Sequence, residues 1–136
     1  MIRAIEHHQA PPGLVAGPGY SHAVAATGRT VAVSGQVAVD SEGTVVGVGD
    51  PRAQAVQVFE NLSRALAAVG ASFADVIKLG FYCTDVAILP AVREVRDSYI
   101  DTARPPASTA VQVAALIRPE FMLEVDALAV IAEQHP

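Results

Sequence analysis

The chain contains one cysteine, no tryptophan and no stretch dense in positive charge. Each shortage argues against a class of function. Cys83 has no partner for an internal disulfide, and the surrounding FYCTD supplies no base to activate a thiolate, so it reads as an inert core thiol. Nine Lys and Arg stand against fourteen Asp and Glu, a net charge of −5, and aromatic residues make up only 5%. A surface of that sign repels phosphate backbones and offers no stacking platform, which argues against nucleic acid as a partner. No apolar run approaches the roughly 18 residues of a membrane span. The first residues, MIRAIEHHQA, show no signal-peptide pattern, so a cytoplasmic protein with no membrane partner is expected. Histidine is sparse as well. His7 and His8 would point to opposite faces of a strand, His22 and His135 stand alone, and no metal-ligand spacing is formed.

What the chain does have is apolar surface, 51% of its 136 residues. That suffices for a single domain spanning 1–136 with one core, and leaves apolar area for an interface between subunits. A short strand is predicted over 2–6, followed by the loop PPGLVAGPGY, whose prolines and glycines exclude helix. Two strand-like runs in HAVAATGRTVAVSGQVAV are separated by Thr27, Gly28 and Arg29, the signal of a hairpin. The clearest helix opens at Asp50 and Pro51 and closes before Gly70, with Ala55, Phe59, Leu62, Leu66 and Val69 drawing one inward stripe. A buried strand over 76–84 and a second helix over 90–102, with Val92, Val95 and Tyr99 inward, come next. A final antiparallel strand pair within 105–130 completes the order βββαβαββ. Two helices cover only one face of such a sheet, and both faces of the last strands are largely apolar. Another copy of the chain is the economical cover, so a homo-oligomer with its sheets packed together is expected.

One face of the last strand carries candidate chemistry. Glu124 and Asp126 share it, flanked by Met122 and Leu128, while Phe121, Leu123, Val125, Ala127 and Ala129 share the other. An ionised acid away from water is costly unless paired, hydrogen-bonded or kept protonated, which makes Glu124 a candidate pocket acid; a simply wetted face is the alternative. Asp126 reads as structural, paired with an arginine.

Several strings recur in a fixed order: GPGY at 17–20, VSGQVAVD at 33–40, FENLSRALAAVGASFADVIK in and after the long helix, FYCTD at 81–85, RPPAS at 104–108 and LEVDALAV at 123–130. Together they resemble the Rid family, also called YjgF or L-PSP, over residues 15–131. The resemblance implies an α+β, chorismate-mutase-like fold: one six-stranded mixed sheet with two helices on one face, in a homotrimer with the sheets packed inward. It also implies small-molecule clefts at the subunit interfaces, and hydrolysis of 2-imino acids, tautomers of enamines, to 2-keto acids and ammonia. No metal or organic cofactor is implied. An imine carbon is already electrophilic, so a positioned water, proton transfer and a carboxylate anchor suffice.

Carried over residue by residue, the resemblance makes Tyr20 a wall of the cleft, Ser34 and Gly35 part of its SGQ motif, and Glu124 the acid that holds or activates water. The family's carboxylate-binding arginine falls at Ser108, its cysteine two places on at Ala110, and an asparagine near the second helix aligns with Arg93. Ser34 and Ser108, with Thr109 and Gln112, can orient a polar substrate or serve only as backbone partners. Gly35 can admit a ligand close to the backbone or mark a bulge. Arg93, Arg104 and Arg118 are the cations considered as replacements for the missing anchor, Arg104 being nearest to Ser108 in sequence. The expected function is a Rid-type imine or enamine deaminase whose substrate is not a simple 2-imino acid. The alternative is a non-catalytic trimer that binds a small metabolite.

Overall fold

Local sequence fixes the main helix at both ends in the structure, a computed structural model that describes residues 5–132. Asp50 Oδ1 accepts a hydrogen bond from the Ala53 N–H at 3.1 Å, Pro51 takes the first helical position, and α1 runs over Pro51–Ala68. At the far end Gly70, at φ +78°, donates to Ala67 O at 3.1 Å while the Ala71 N–H reaches Leu66 O at 2.9 Å, the two bonds of a Schellman cap. Ala55, Phe59, Leu62 and Leu66 are fully buried, whereas Val69 is 39% exposed. The predicted stripe stops at Leu66 because Val69 is already the cap and has left the helical screw.

The strands form two sheets. β1 (Ile5–His8) pairs antiparallel with β2 (Ala23–Ala26). β3 (Gly28–Gln36), β4 (Val76–Cys83), β5 (Ala107–Gln112) and β6 (Leu123–Ala132) make a four-stranded mixed sheet in the order β3-β6-β4-β5, with β5 parallel to β4. The expectation of one six-stranded sheet is therefore corrected. A single bridge, Ser21 to Ala107, links the two: the Ser21 N–H bonds Pro106 O at 3.0 Å and its Oγ bonds Pro105 O at 2.6 Å. Pro105 and Pro106 have carbonyls but no N–H to offer, so no ladder runs through them. Residues 2–4 of the first predicted strand, and His135, lie outside the described residues.

Both predicted hairpins are also corrected. β2 pairs with β1 rather than β3, and β4 lies between β5 and β6. The second change follows from α2 (Leu89–Asp97), which makes β4, α2 and β5 a strand-helix-strand unit. Such a unit places its second strand parallel beside the first, so β5 takes one edge of β4 and leaves the other to β6. α2 is shorter than the predicted 90–102 because Ser98 closes it, its N–H and Oγ both bonding Val95 O at 3.0 and 2.6 Å. Val92 and Val95 are buried, and Tyr99 stacks on Phe59 with ring centroids 5.2 Å apart.

Both helices pack on one face of the larger sheet, over Leu79, Phe81, Cys83, Leu123, Val125, Ala127 and Ala129. Cys83 is buried there, and that burial raises its thiol pKa above the usual value. The face that neither helix covers carries Lys78, Tyr82, Glu124, Asp126 and Leu128. Among the described residues, no helix is long and apolar enough to cross a membrane, and no cluster of three or more His, Cys, Asp or Glu could hold a metal ion.

Candidate functional site

The GPGY loop is shaped by what its glycines leave empty. A Cβ on Gly17 would fall on the Tyr20 ring, 2.6 Å from Cζ. Gly19 sits at φ +76°, and a Cβ there would run into the guanidinium of Arg96. The two bonds from Ser21 then hold this loop beside the start of β5.

Between the loop, α2 and β5 lies a cavity of about 340 Å³. Pro18 and Tyr20 contribute from the loop, Phe81, Ser108 and Ala110 from the sheet, and Leu89, Val92, Arg93 and Arg96 from α2. Ser108 and Ala110 open to it because β5 aligns them with Leu79 and Phe81 on the helix-covered face. Arg93 borders the cavity. Arg104 does not line it. Arg104 lies instead near His7, whose pKa is lowered first by burial and then by the Arg104 charge. Arg118 pairs with Glu120 at 3.3 Å and stacks over Phe121, in the connection before β6.

Arg96 is the charged cavity residue the sequence reading missed. Its Nε and Nη2 both donate to Asp97 Oδ1, at 3.0 and 2.9 Å, and the residue is only 6% exposed. A signal was available: position 96 follows Val92 by four, which places it on the same inward face of the helix.

Glu124 belongs to the opposite face of the sheet. It stands across from Tyr82 in the β4–β6 ladder, half-buried, with no hydrogen bond or ion pair to any described residue. Ser34 and Gly35 occupy a bulge where the β3 register shifts between Val33 and Gln36. A Cβ on Gly35 would press on the Glu124 carboxyl, 2.7 Å from Cδ, so the glycine makes room for the acid. Asp126 is paired, but with Tyr82 rather than an arginine: the Tyr82 hydroxyl donates to Oδ2 at 3.1 Å. That bond, then the charge of Asp126, raises the Tyr82 phenol pKa. Thr109 accepts from Lys78 Nζ at 2.6 Å, and Gln112 accepts from the Val86 N–H at 3.0 Å, so both are engaged within the chain.

The family model described as endoribonuclease L-PSP matches residues 11–131. The chain belongs to the Rid family. It is 40% identical over 129 residues to protein DfrA of Myxococcus xanthus, across 94% of this chain and 95% of that one. It is 32% identical over 130 residues to the 2-iminobutanoate/2-iminopropanoate deaminase of Homo sapiens, across 96% and 91% of the two chains. The structure of the Rid-family protein YyfB of Yersinia pestis, 34% identical, superposes with a TM-score of 0.86 over 95% of this chain and 100% of that one. In this Rid chain the motif residues fall into two groups. Tyr20, Arg93, Ser108 and Ala110 meet at the cavity, while Glu124 lies on the other face of the sheet against Gly35, with Ser34 in the same bulge.

Proposed function

We propose that the protein is a cofactor-independent hydrolase that deaminates an imine, an enamine or a similarly reactive small metabolite, in clefts completed by a neighbouring copy within a homotrimer whose sheets pack inward. The division of the site carries this reading. One protomer cannot present both its cavity and its own Glu124 to the same small substrate, because they lie on opposite faces of one sheet. A second copy removes the conflict. β5 ends the sheet order, so a neighbour laid on the uncovered face can reach the cavity rim around that edge. Val111 and Leu128, 41% and 43% exposed, give it apolar area to bury.

The chemistry needs little. Glu124 spends neither oxygen on a described protein partner, so its carboxylate is free to hold a water. The water oxygen adds to the electrophilic carbon as Glu124 takes a proton. That proton passes to nitrogen to give a carbinolamine, and Glu124 then carries the remaining hydroxyl proton to nitrogen as the C–N bond breaks, so that ammonia leaves and the carbonyl forms. Ser108 is uncharged where the resemblance puts an arginine, which points away from a simple 2-imino acid as the natural substrate. RNA is not part of this reading, since the net charge of −5 opposes it.

The test is ammonia and keto-acid release from 2-iminopropanoate generated in situ, with semicarbazide as competitor. Wild type is expected to be slow, and Ser108→Arg to gain about ten- to a hundredfold in kcat/KM, the worth of one charge-assisted contact to a carboxylate. Silence in both, with a small acid raising Tm, would favour a binding trimer over an enzyme. Light scattering at micromolar concentration is expected to give a trimeric mass; a stable monomer would sink the shared cleft. Gly35→Ala is expected to lower kcat by about ten- to a hundredfold by displacing the Glu124 carboxyl, with little change in Tm. Unchanged turnover in that variant would place the carboxylate away from the reaction.

A further inference from the structure

The cavity is lined by two arginines and no acid, in a chain whose net charge is −5. That local excess of positive charge is not inherited from composition. Arg93 is exposed and makes no ion pair to a described residue. Arg96 is buried, and Asp97 engages only one edge of its guanidinium, Nε and Nη2 sharing the single oxygen Oδ1 at 3.0 and 2.9 Å. Nη1 has no hydrogen bond to any described residue. Asp97 itself is half exposed and outside the cavity lining, so it fixes the guanidinium without closing the cavity to an anion. Gly19 adds a further constraint, because any side chain there would collide with the Arg96 guanidinium. The loop, the helix and the acid at position 97 together hold one cation in place against the cavity.

We propose that Arg96, assisted by Arg93, forms an anion subsite on α2 that takes the carboxylate of a small organic acid. Phe81, Leu89 and Val92 of the same lining receive the apolar body of that acid, and about 340 Å³ is room for a compact molecule of this kind. The inference rests on reading the cavity as the substrate half of the reaction site. It adds to that reading that the substrate is an acid held from the helix side of the cavity, with uncharged Ser108 on β5 facing its body. A guanidinium already desolvated and already oriented loses little freedom on binding, which is why a fixed arginine suits a carboxylate better than a mobile surface one.

The experiment is calorimetric titration of the full chain with phenylacetate and with phenylacetamide, which share a shape and differ in charge. Phenylacetate is expected to bind at least about tenfold more tightly than the amide. Arg96→Gln and Arg93→Glu are each expected to remove about tenfold or more of that preference while leaving the amide unaffected. Arg93 is exposed, so its variant keeps the subsite testable if the buried Arg96 variant fails to fold. Arg96→Lys, which keeps the charge and loses the fork, is expected to fall between. Equal binding of acid and amide, no binding of phenylacetate, or a full preference retained in folded Arg93→Glu and Arg96→Gln would overturn the subsite. The deaminase reading fails separately: acid-selective, arginine-dependent binding without turnover of any imine leaves the subsite standing and removes the reaction. Turnover without acid selectivity does the reverse.

Discussion

Glu124→Gln is expected to lower kcat by about 10²- to 10⁴-fold, the usual contribution of a positioned general base, with the fold and the mass in solution unchanged. Glutamine has the same shape and can still hold a water, but it cannot accept the proton. The side chain bonds no described residue, so its charge is not holding the sheet together, and the Gly35 bulge opposite has room for an amide as well as an acid. Turnover within threefold of wild type would remove Glu124 from the chemistry. The same variant tests the division of the site. Mixed with a variant disabled only at Tyr20 and Ser108, each inactive alone, it should in the proposed trimer give hybrids in which about one cleft in four has both halves intact. Recovery of activity on mixing would mean that neighbouring copies share each site. Persistent silence, with hybrid formation verified by mass, would mean that they do not.

What the sequence displayed clearly was whatever is decided within a few residues. Asp50, Pro51 and Gly70 mark the ends of α1 because caps are local hydrogen-bonding events, and the Ala55-to-Leu66 stripe is buried as its spacing requires. Strand partners are not decided that way. β5 and β6 are consecutive strands and look like a hairpin in the sequence, yet the crossover through α2 commits β5 to β4 first. The motif strings identified the family and named Tyr20, Ser108 and Glu124, but alternation along single strands gives no information about which strands are neighbours. That the cavity and Glu124 occupy opposite faces was therefore invisible before the register was known. Arg96 was legible by its helical spacing and passed over because arginine is ordinarily a surface residue. Gln54 was hidden for the same reason. It lies on the buried side of α1 beside Ala55, a polar residue next to the apolar stripe.

Gln54→Met is expected to cost about 2–4 kcal/mol of stability, which for a chain of this size is a fall in Tm on the order of 10 °C. The side chain is fully buried, and its amide is engaged at both ends. Nε2 donates to Glu120 O at 2.8 Å and Gly47 O at 3.1 Å, while Oε1 accepts from the Met122 N–H at 2.9 Å. Gly47 O keeps a second partner, the Asp50 N–H at 2.9 Å, so methionine would strand chiefly the Glu120 carbonyl and the Met122 N–H. Those two groups frame the entry to β6, and Glu124 lies two residues further on. The loss should therefore appear in activity below the melting transition as well as in Tm. Gln54→Glu sharpens the test. It keeps an acceptor for Met122 but faces the Glu120 and Gly47 carbonyls with a carboxylate, so at neutral pH it should be less stable than the methionine variant. The folded state would favour the protonated acid, which donates where the amide did, so the folded protein binds the extra proton and stability recovers as pH falls. A Gln54→Met protein melting within about 2 °C of wild type would mean that water replaces both bonds and that β6 is positioned by its ladders to β3 and β4 alone.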